Sequence, residues 1–149
     1  MPMFTAVTRP TLSASGGVTV SQLNGSSLGR GFVRGLTLSV EGQATDAVIN
    51  WRVDRFSAAG GASAMSNIGY ADPGDVGNNR ITAKQNSTVE PTYTSAYLWQ
   101  ASVNTRVTYS VPVPPTGWAI ATASGGGIGV FANATVSGLV CDVVWRWDE

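Results

Sequence analysis

Five carboxylates, Glu41, Asp46, Asp54, Glu90 and Asp142, are the side chains from which acid–base chemistry in this chain would have to be built. Glycoside hydrolysis needs two such groups facing each other across a cleft. The sequence singles out no pair. Asp54 stands between Arg52 and Arg55, and its expected role there is a surface ion pair of little worth. Zinc, haem and general-base sites lean on histidine, and the chain has none. Asp72 and Asp75, in the segment Tyr70-Ala71-Asp72-Pro73-Gly74-Asp75, offer calcium-type oxygens, but the further ligands of a calcium loop are missing and Pro73 suits a plain turn. The one cysteine, Cys141, falls at an apolar position of an alternating run with no histidine to activate it, so it reads as a small buried hydrophobe. No internal disulfide can form. Since no set of acid, base and nucleophile can be named, the chain is expected not to be an enzyme and to carry no metal and no cofactor.

Three other features look like binding sites. Gly125-Gly126-Gly127 precedes a strand-like segment, whereas phosphate-cradling glycines open onto helices, so the run is read as a hairpin turn. Five tryptophans invite sugar stacking. Trp51, Trp99 and Trp145 fall on the apolar side of alternating strands and belong to a core, which leaves Trp118 and Trp147 less determined. Asn24, Asn86 and Asn133 begin glycosylation-type triplets that chance explains in a chain rich in Asn, Ser and Thr.

The elements that would position any of these residues are strands. From Val136 to Trp147 the odd positions Leu139, Cys141, Val143, Trp145 and Trp147 are apolar, the period of two of a half-buried strand. Ala47–Phe56 has the same pattern, with Ile49, Trp51 and Val53 set against Asn50, Arg52 and Asp54. Further strands are expected at Val18–Leu23, Phe32–Val40, Tyr97–Val103, Arg106–Val113, Trp118–Thr122 and Ile128–Asn133, with Asn104-Thr105 as a tight hairpin turn. Pro112, Pro114 and Pro115 demand an edge or a crossing segment. Residues 57–95 are rich in Gly, Pro and Asn and form a long insertion, interrupted by a short strand near Ile81–Lys84. Residues 1–16 are expected to be an extended arm preceding a single domain, 17–149. The fold class is therefore all-β, a two-sheet jelly-roll-like sandwich of about eight strands with an N-terminal arm and a loop insertion.

The totals agree with one domain. A chain of 149 residues buries roughly 68% of its unfolded surface without needing a disulfide or metal. Only 12% of residues are charged, nine basic and nine acidic, so the surface resists being covered by neighbours less than a highly charged one. The dispersed arginines give no basic patch, which argues against nucleic acid as a partner. No run approaches a membrane span and residues 1–10 lack the pattern of a secretory signal, so the product is expected in the cytoplasm of the cell that makes it, with no membrane partner.

Ala47-Val48-Ile49-Asn50-Trp51-Arg52-Val53-Asp54-Arg55-Phe56-Ser57-Ala58-Ala59-Gly60-Gly61, the Asp72-Pro73 segment and the ending Val140-Cys141-Asp142-Val143-Val144-Trp145-Arg146-Trp147-Asp148-Glu149 resemble small jelly-roll structural proteins of tailed bacteriophage virions. The resemblance implies a capsid decoration, or cement, protein. It would sit on the outside of the head, often as a homotrimer, and clamp subunits of the major capsid protein. It carries no catalytic residues with it. The arm, through Phe4, Thr5, Val7 and Arg9, is the expected capsid contact, and its removal should spare the fold. Tyr70, Asp72, Pro73 and Arg80 are the expected oligomer contacts. The rival is a tail- or fibre-associated or carbohydrate-binding module with a groove lined by Trp118 or Tyr93.

Overall fold

The computed structural model describes residues 1–12, 16–41, 46–64, 68–70, 80–122, 125–136 and 138–149. Within them lie thirteen strands and no helix: β1 Met3–Thr8, β2 Thr11–Leu12, β3 Val18–Asn24, β4 Phe32–Glu41, β5 Val48–Ala58, β6 Ser63–Ala64, β7 Ile68–Tyr70, β8 Thr82–Gln85, β9 Thr92–Asn104, β10 Tyr109–Val111, β11 Trp118–Ala119, β12 Gly127–Ala134 and β13 Leu139–Asp148. They form two antiparallel sheets. The first has the order β10-β4-β13-β1-β7, with β11 also beside β4 and β2 beside β13; the second has the order β6-β8-β3-β12-β5-β9.

Eight principal strands carry jelly-roll connectivity. The chain runs β1, β3, β4, β5 from sheet to sheet, stays in the second sheet for β9, and then alternates again through β10, β12 and β13, giving the four-stranded blocks β10-β4-β13-β1 and β3-β12-β5-β9. The fold class read from the alternation is the one observed. β6, β7 and β8 show that the 57–95 insertion is partly built into the sheets, β7 as an edge of the first and β6 and β8 as an extension of the second.

The inner faces are those the alternation marks. Leu139, Cys141, Val143, Trp145 and Trp147 are all at most 1% exposed, and Ile49, Trp51 and Val53 meet them from the opposite sheet. The Trp145 indole Nε1–H donates to Ser21 Oγ at 2.7 Å, which satisfies a buried donor across the sandwich.

Three expectations are corrected. In place of the arm expected over residues 1–16, residues 3–12 are built into the first sheet: β1 pairs residue for residue with β13, from Met3 opposite Asp148 to Thr8 opposite Val143, and β2 pairs with the start of β13. Phe4 and Ala6 are 1% exposed because they alternate into the core like any inner strand. Asn104-Thr105 is not a hairpin turn between neighbours, since β9 and β10 lie in different sheets. The turn is closed by Val107 N–H to the Asn104 carbonyl at 3.1 Å, and Thr105 N–H ties it to the Ala47 carbonyl at 2.9 Å. Gly125-Gly126-Gly127 likewise carries the chain from β11 in one sheet to β12 in the other. Gly127 is needed for close approach, because a Cβ there would lie 2.1 Å from the Leu23 carbonyl oxygen. The prolines act as expected: they separate β10 from β11, two short strands lying along the same edge of β4.

Burial has a consequence at alkaline pH. Burial, with a smaller contribution from the charge of Asp142, pushes the Cys141 thiol up from 9.0 to about 12. Burial also raises the Tyr93 phenol above its ordinary 10.0. Both groups keep their protons in the folded chain at pH values where the unfolded chain has lost them. Their stabilisation is therefore complete below about pH 9 and is lost as pH rises towards 12. At ~1.4 kcal/mol per group per pH unit, the expected loss between pH 8.5 and 11 is on the order of 4 kcal/mol. Urea unfolding at the two pH values measures it, and Cys141→Ala should flatten the dependence by about two thirds; an unchanged slope would contradict the thiol assignment.

Candidate functional site

The expected capsid contacts divide. Phe4 faces inward, its ring stacked on Trp147 with centroids 5.6 Å apart, and cannot touch a partner. Thr5 and Val7 face outward, and Val7 is 44% exposed. Arg9 forms ion pairs with Glu41 and with Asp142, the latter at 3.2 Å, and the Glu41 hydrogen bond and charge raise the guanidinium's pKa. Of the expected oligomer contacts, Tyr70 lies on the β7 edge against Phe4, with centroids 5.2 Å apart. Arg80 is occupied with the chain end: its backbone N–H donates to the Glu149 carboxylate and its Nη1 to the Leu28 carbonyl at 2.7 Å. Asp72, Pro73 and Asp75 lie outside the described residues.

The registers turn the outer face of the first sheet into rows. Val7, Val144, Thr37 and Ser110 stand side by side on β1, β13, β4 and β10. Thr5, Arg146 and Gly35 form the next row, with Arg146 laid across the glycine, 3.6 Å from where a Cβ would be. The ion-paired Arg9, Glu41 and Asp142 mark one end of this face, and Arg34 with Asp148, 2.7 Å apart, the other. Between them the surface is of small and β-branched side chains with a single charge.

The outer face of the second sheet is chemically richer. Asn133, Asn50 and Ser102 form one row across β12, β5 and β9, and Phe131, Arg52 and Gln100 the next. The Arg52 guanidinium carbon lies 4.5 Å from the Phe131 ring centre, 5.0 Å from that of Tyr97 and 5.1 Å from that of Tyr93. These are cation–π distances. An open hollow of about 320 Å³ lies here, lined by Asn50, Trp51, Arg52, Gln100, Phe131 and Asn133.

The following row is Gln22, Gly129 and Asp54, and it is buried. Gly129 leaves room for the Tyr93 phenol, whose oxygen would be 2.7 Å from a Cβ at that position. Thr19 Oγ1 donates to the Glu90 carboxylate. A hydroxyl has one proton, so Tyr93 O–H must donate to Thr19 Oγ1, 2.5 Å away. Thr19 N–H adds a second bond to Glu90 at 2.9 Å.

Asp54 is therefore not half of a surface pair. Its side chain is 1% exposed; Oδ1 accepts the Arg55 N–H at 2.7 Å, and Oδ2 lies 3.8 Å from Arg52 Nε, too far for a hydrogen bond. Neither Asp54 Oδ2 nor Arg52 Nε has another partner among the described residues, and neither amide atom of Gln22 has one. The alternation correctly sends Asp54 outward, but rings from β9 cover that part of the face.

Of the other carboxylates, Glu41 and Asp142 share Arg9, and Asp46 pairs with Arg106 at 3.0 Å. Asp54 and Glu90 come together around Tyr93, where both charges raise its pKa. No three side chains of the metal-binding types His, Cys, Asp and Glu converge among the described residues. The expected sugar groove at Trp118 is corrected: Trp118 is 6% exposed on a strand that covers the core edge beside β4. Trp99 is half-buried and stacks on Tyr109 at 5.3 Å. A second hollow, of about 380 Å³, lies among Pro10, Thr11, Val18, Thr19, Val20, Asn86, Ser87 and Thr88, without charged or aromatic side chains.

Sequence reasoning missed Arg52, Tyr97, Phe131, Gln100 and Asn133 as a group. Asn50 and Arg52 were visible on the polar side of β5, but their neighbours come from strands far along the chain. Protein-family models, curated proteins and solved structures yield no match to this chain.

Proposed function

We propose that this chain is a capsid decoration (cement) protein of a tailed bacteriophage. It is made in the host cytoplasm, mounted on the outside of the head as a homotrimer, and holds neighbouring major capsid protein subunits together. The observation that carries the reading is the outer face of the β10-β4-β13-β1 sheet, whose Val7-Val144-Thr37-Ser110 and Thr5-Arg146-Gly35 rows hold small and β-branched side chains and a single charge, Arg146. Such a surface can be covered by another protein with little desolvation of charge. The jelly-roll framework, with its first and last strands paired, presents that face rigidly. A trimer touching several shell subunits turns weak contacts into high avidity. The capsid contact thus passes from an arm to a sheet face, of which Thr5 and Val7 are members.

Light scattering should give a trimer mass, and co-sedimentation with heads lacking this protein should saturate at a fixed ratio. Val7→Glu with Ser110→Glu places two charges on the exposed ends of one row. This variant should abolish co-sedimentation and leave the melting temperature unchanged. A wild-type protein that ignores the heads would refute the reading, and undiminished binding by the charged variant would move the contact elsewhere.

A further inference from the structure

We infer that the outer face of the β3-β12-β5-β9 sheet is a binding site for a neutral oligosaccharide, centred on Asn50, Arg52, Gln100, Asn133 and Tyr97. This face is on the opposite side of the sandwich from the proposed capsid contact, and the inference stands independently of that contact.

The side chains form a lattice set by the sheet. Neighbouring strands are about 4.8 Å apart and alternate residues about 7 Å apart along a strand, so Asn133-Asn50-Ser102 and Phe131-Arg52-Gln100 present a grid on the scale of a sugar ring. Each terminal amide both donates and accepts, as each sugar hydroxyl does. Asn50, Gln100 and Asn133 are exposed. They stand around a hollow whose volume of about 320 Å³ is at the small end of the range for ligand sites.

Arg52 is prepared for such a role. Three aromatic faces and the buried Asp54 charge hold its guanidinium in place without a hydrogen bond from Nε. Orientation is thus supplied by packing, and the ordering cost on binding is already met. Tyr97, 59% exposed beside Arg52, offers an aromatic surface for an apolar ring face.

Charge decides between ligand classes. Asp54 balances Arg52, and Glu90 lies on the same side of the sheet bound to Thr19. A phosphate or a nucleic-acid backbone would meet one compensated cation with carboxylates behind it, whereas a neutral polyol meets only donors and acceptors it can use.

The test is an NMR titration of the full-length ¹⁵N-labelled protein with four probes: maltotriose, cellotriose, N,N′,N″-triacetylchitotriose and lactose. At least one should shift the side-chain NH₂ signals of Asn50, Gln100 and Asn133 saturably. Asn133→Ala and Gln100→Ala, both at exposed positions, should each weaken that probe's binding about tenfold with the melting temperature unchanged, and Tyr97→Ala should weaken it as well. No shift with any probe at millimolar concentration would overturn the inference. So would shifts confined to the hollow around Thr11 and Thr88, full affinity in all three variants, or a response to a thymidine oligonucleotide in place of the sugars.

Discussion

A chain lacking residues 2–9 should fail to fold. Those residues hold β1, which supplies six consecutive pairs along β13 and the whole edge on which β7 rests. Phe4 is 1% exposed between Trp147 and Tyr70, and Ala6 is equally buried. Their removal would expose the Trp147 ring and leave backbone groups of β13 without partners over six residues. Truncating one side chain is a milder version of the same experiment. Phe4→Ala should cost about 3–5 kcal/mol, a large share of the roughly 5–15 kcal/mol that domains possess. At about 2–4 °C per kcal/mol, its melting point should fall by roughly 10 °C. Near-ultraviolet circular dichroism and thermal melts report both variants. A truncated chain that melted cooperatively at the wild-type temperature would show that β1 is dispensable. The expected failure to fold bears on the proposed function, because any loss of capsid binding on truncation would then reflect unfolding. Val7→Glu with Ser110→Glu separates the two.

The second large effect is expected at Arg52. Arg52→Ala would leave the Asp54 carboxylate buried with, among the described residues, a single donor, the Arg55 N–H, and no cation beside it. Breaking a buried pair from one side typically costs about 3–5 kcal/mol, and here the arginine also packs on Tyr93, Tyr97 and Phe131. Asp54→Ala should cost less, since the Arg52 side chain, 24% exposed, keeps access to water and its three rings. The double variant should be more stable than Arg52→Ala alone, with a coupling of roughly 1–3 kcal/mol from a urea-denaturation cycle. Strict additivity of the two single changes would mean that Asp54 and Arg52 do not interact. The cycle also bears on the proposed sugar site, because it measures how firmly the guanidinium is held there before any ligand arrives.

On the two proposals, the outer faces of the sandwich divide the work between them. One is built of small and β-branched side chains with a single charge, suited to being covered by protein; the other carries amides and rings around a hollow. On a virion exterior the first would face the shell and the second would face the surroundings. The NMR probes and the head co-sedimentation test these surfaces separately.

The sequence by itself determined the all-β class, most strand positions and the inward sets of β5 and β13, because burial of each apolar side chain is a local preference that repeats every second residue. It also placed Cys141 in the core and marked the proline break between β10 and β11. It could not say which strands are neighbours. Asn104-Thr105 and Gly125-Gly126-Gly127 have the composition of hairpin turns, yet both cross between sheets, since the same turn chemistry serves either path. Phe4–Pro10 read as an arm because the strand that completes it, β13, begins more than a hundred residues later. Asp54 read as exposed because alternation gives the side of the sheet and not what covers that side. Tertiary structure alone decided those matters: pairing between distant strands depends on backbone hydrogen bonds and shape fit across the whole chain, and no local window of residues contains that information.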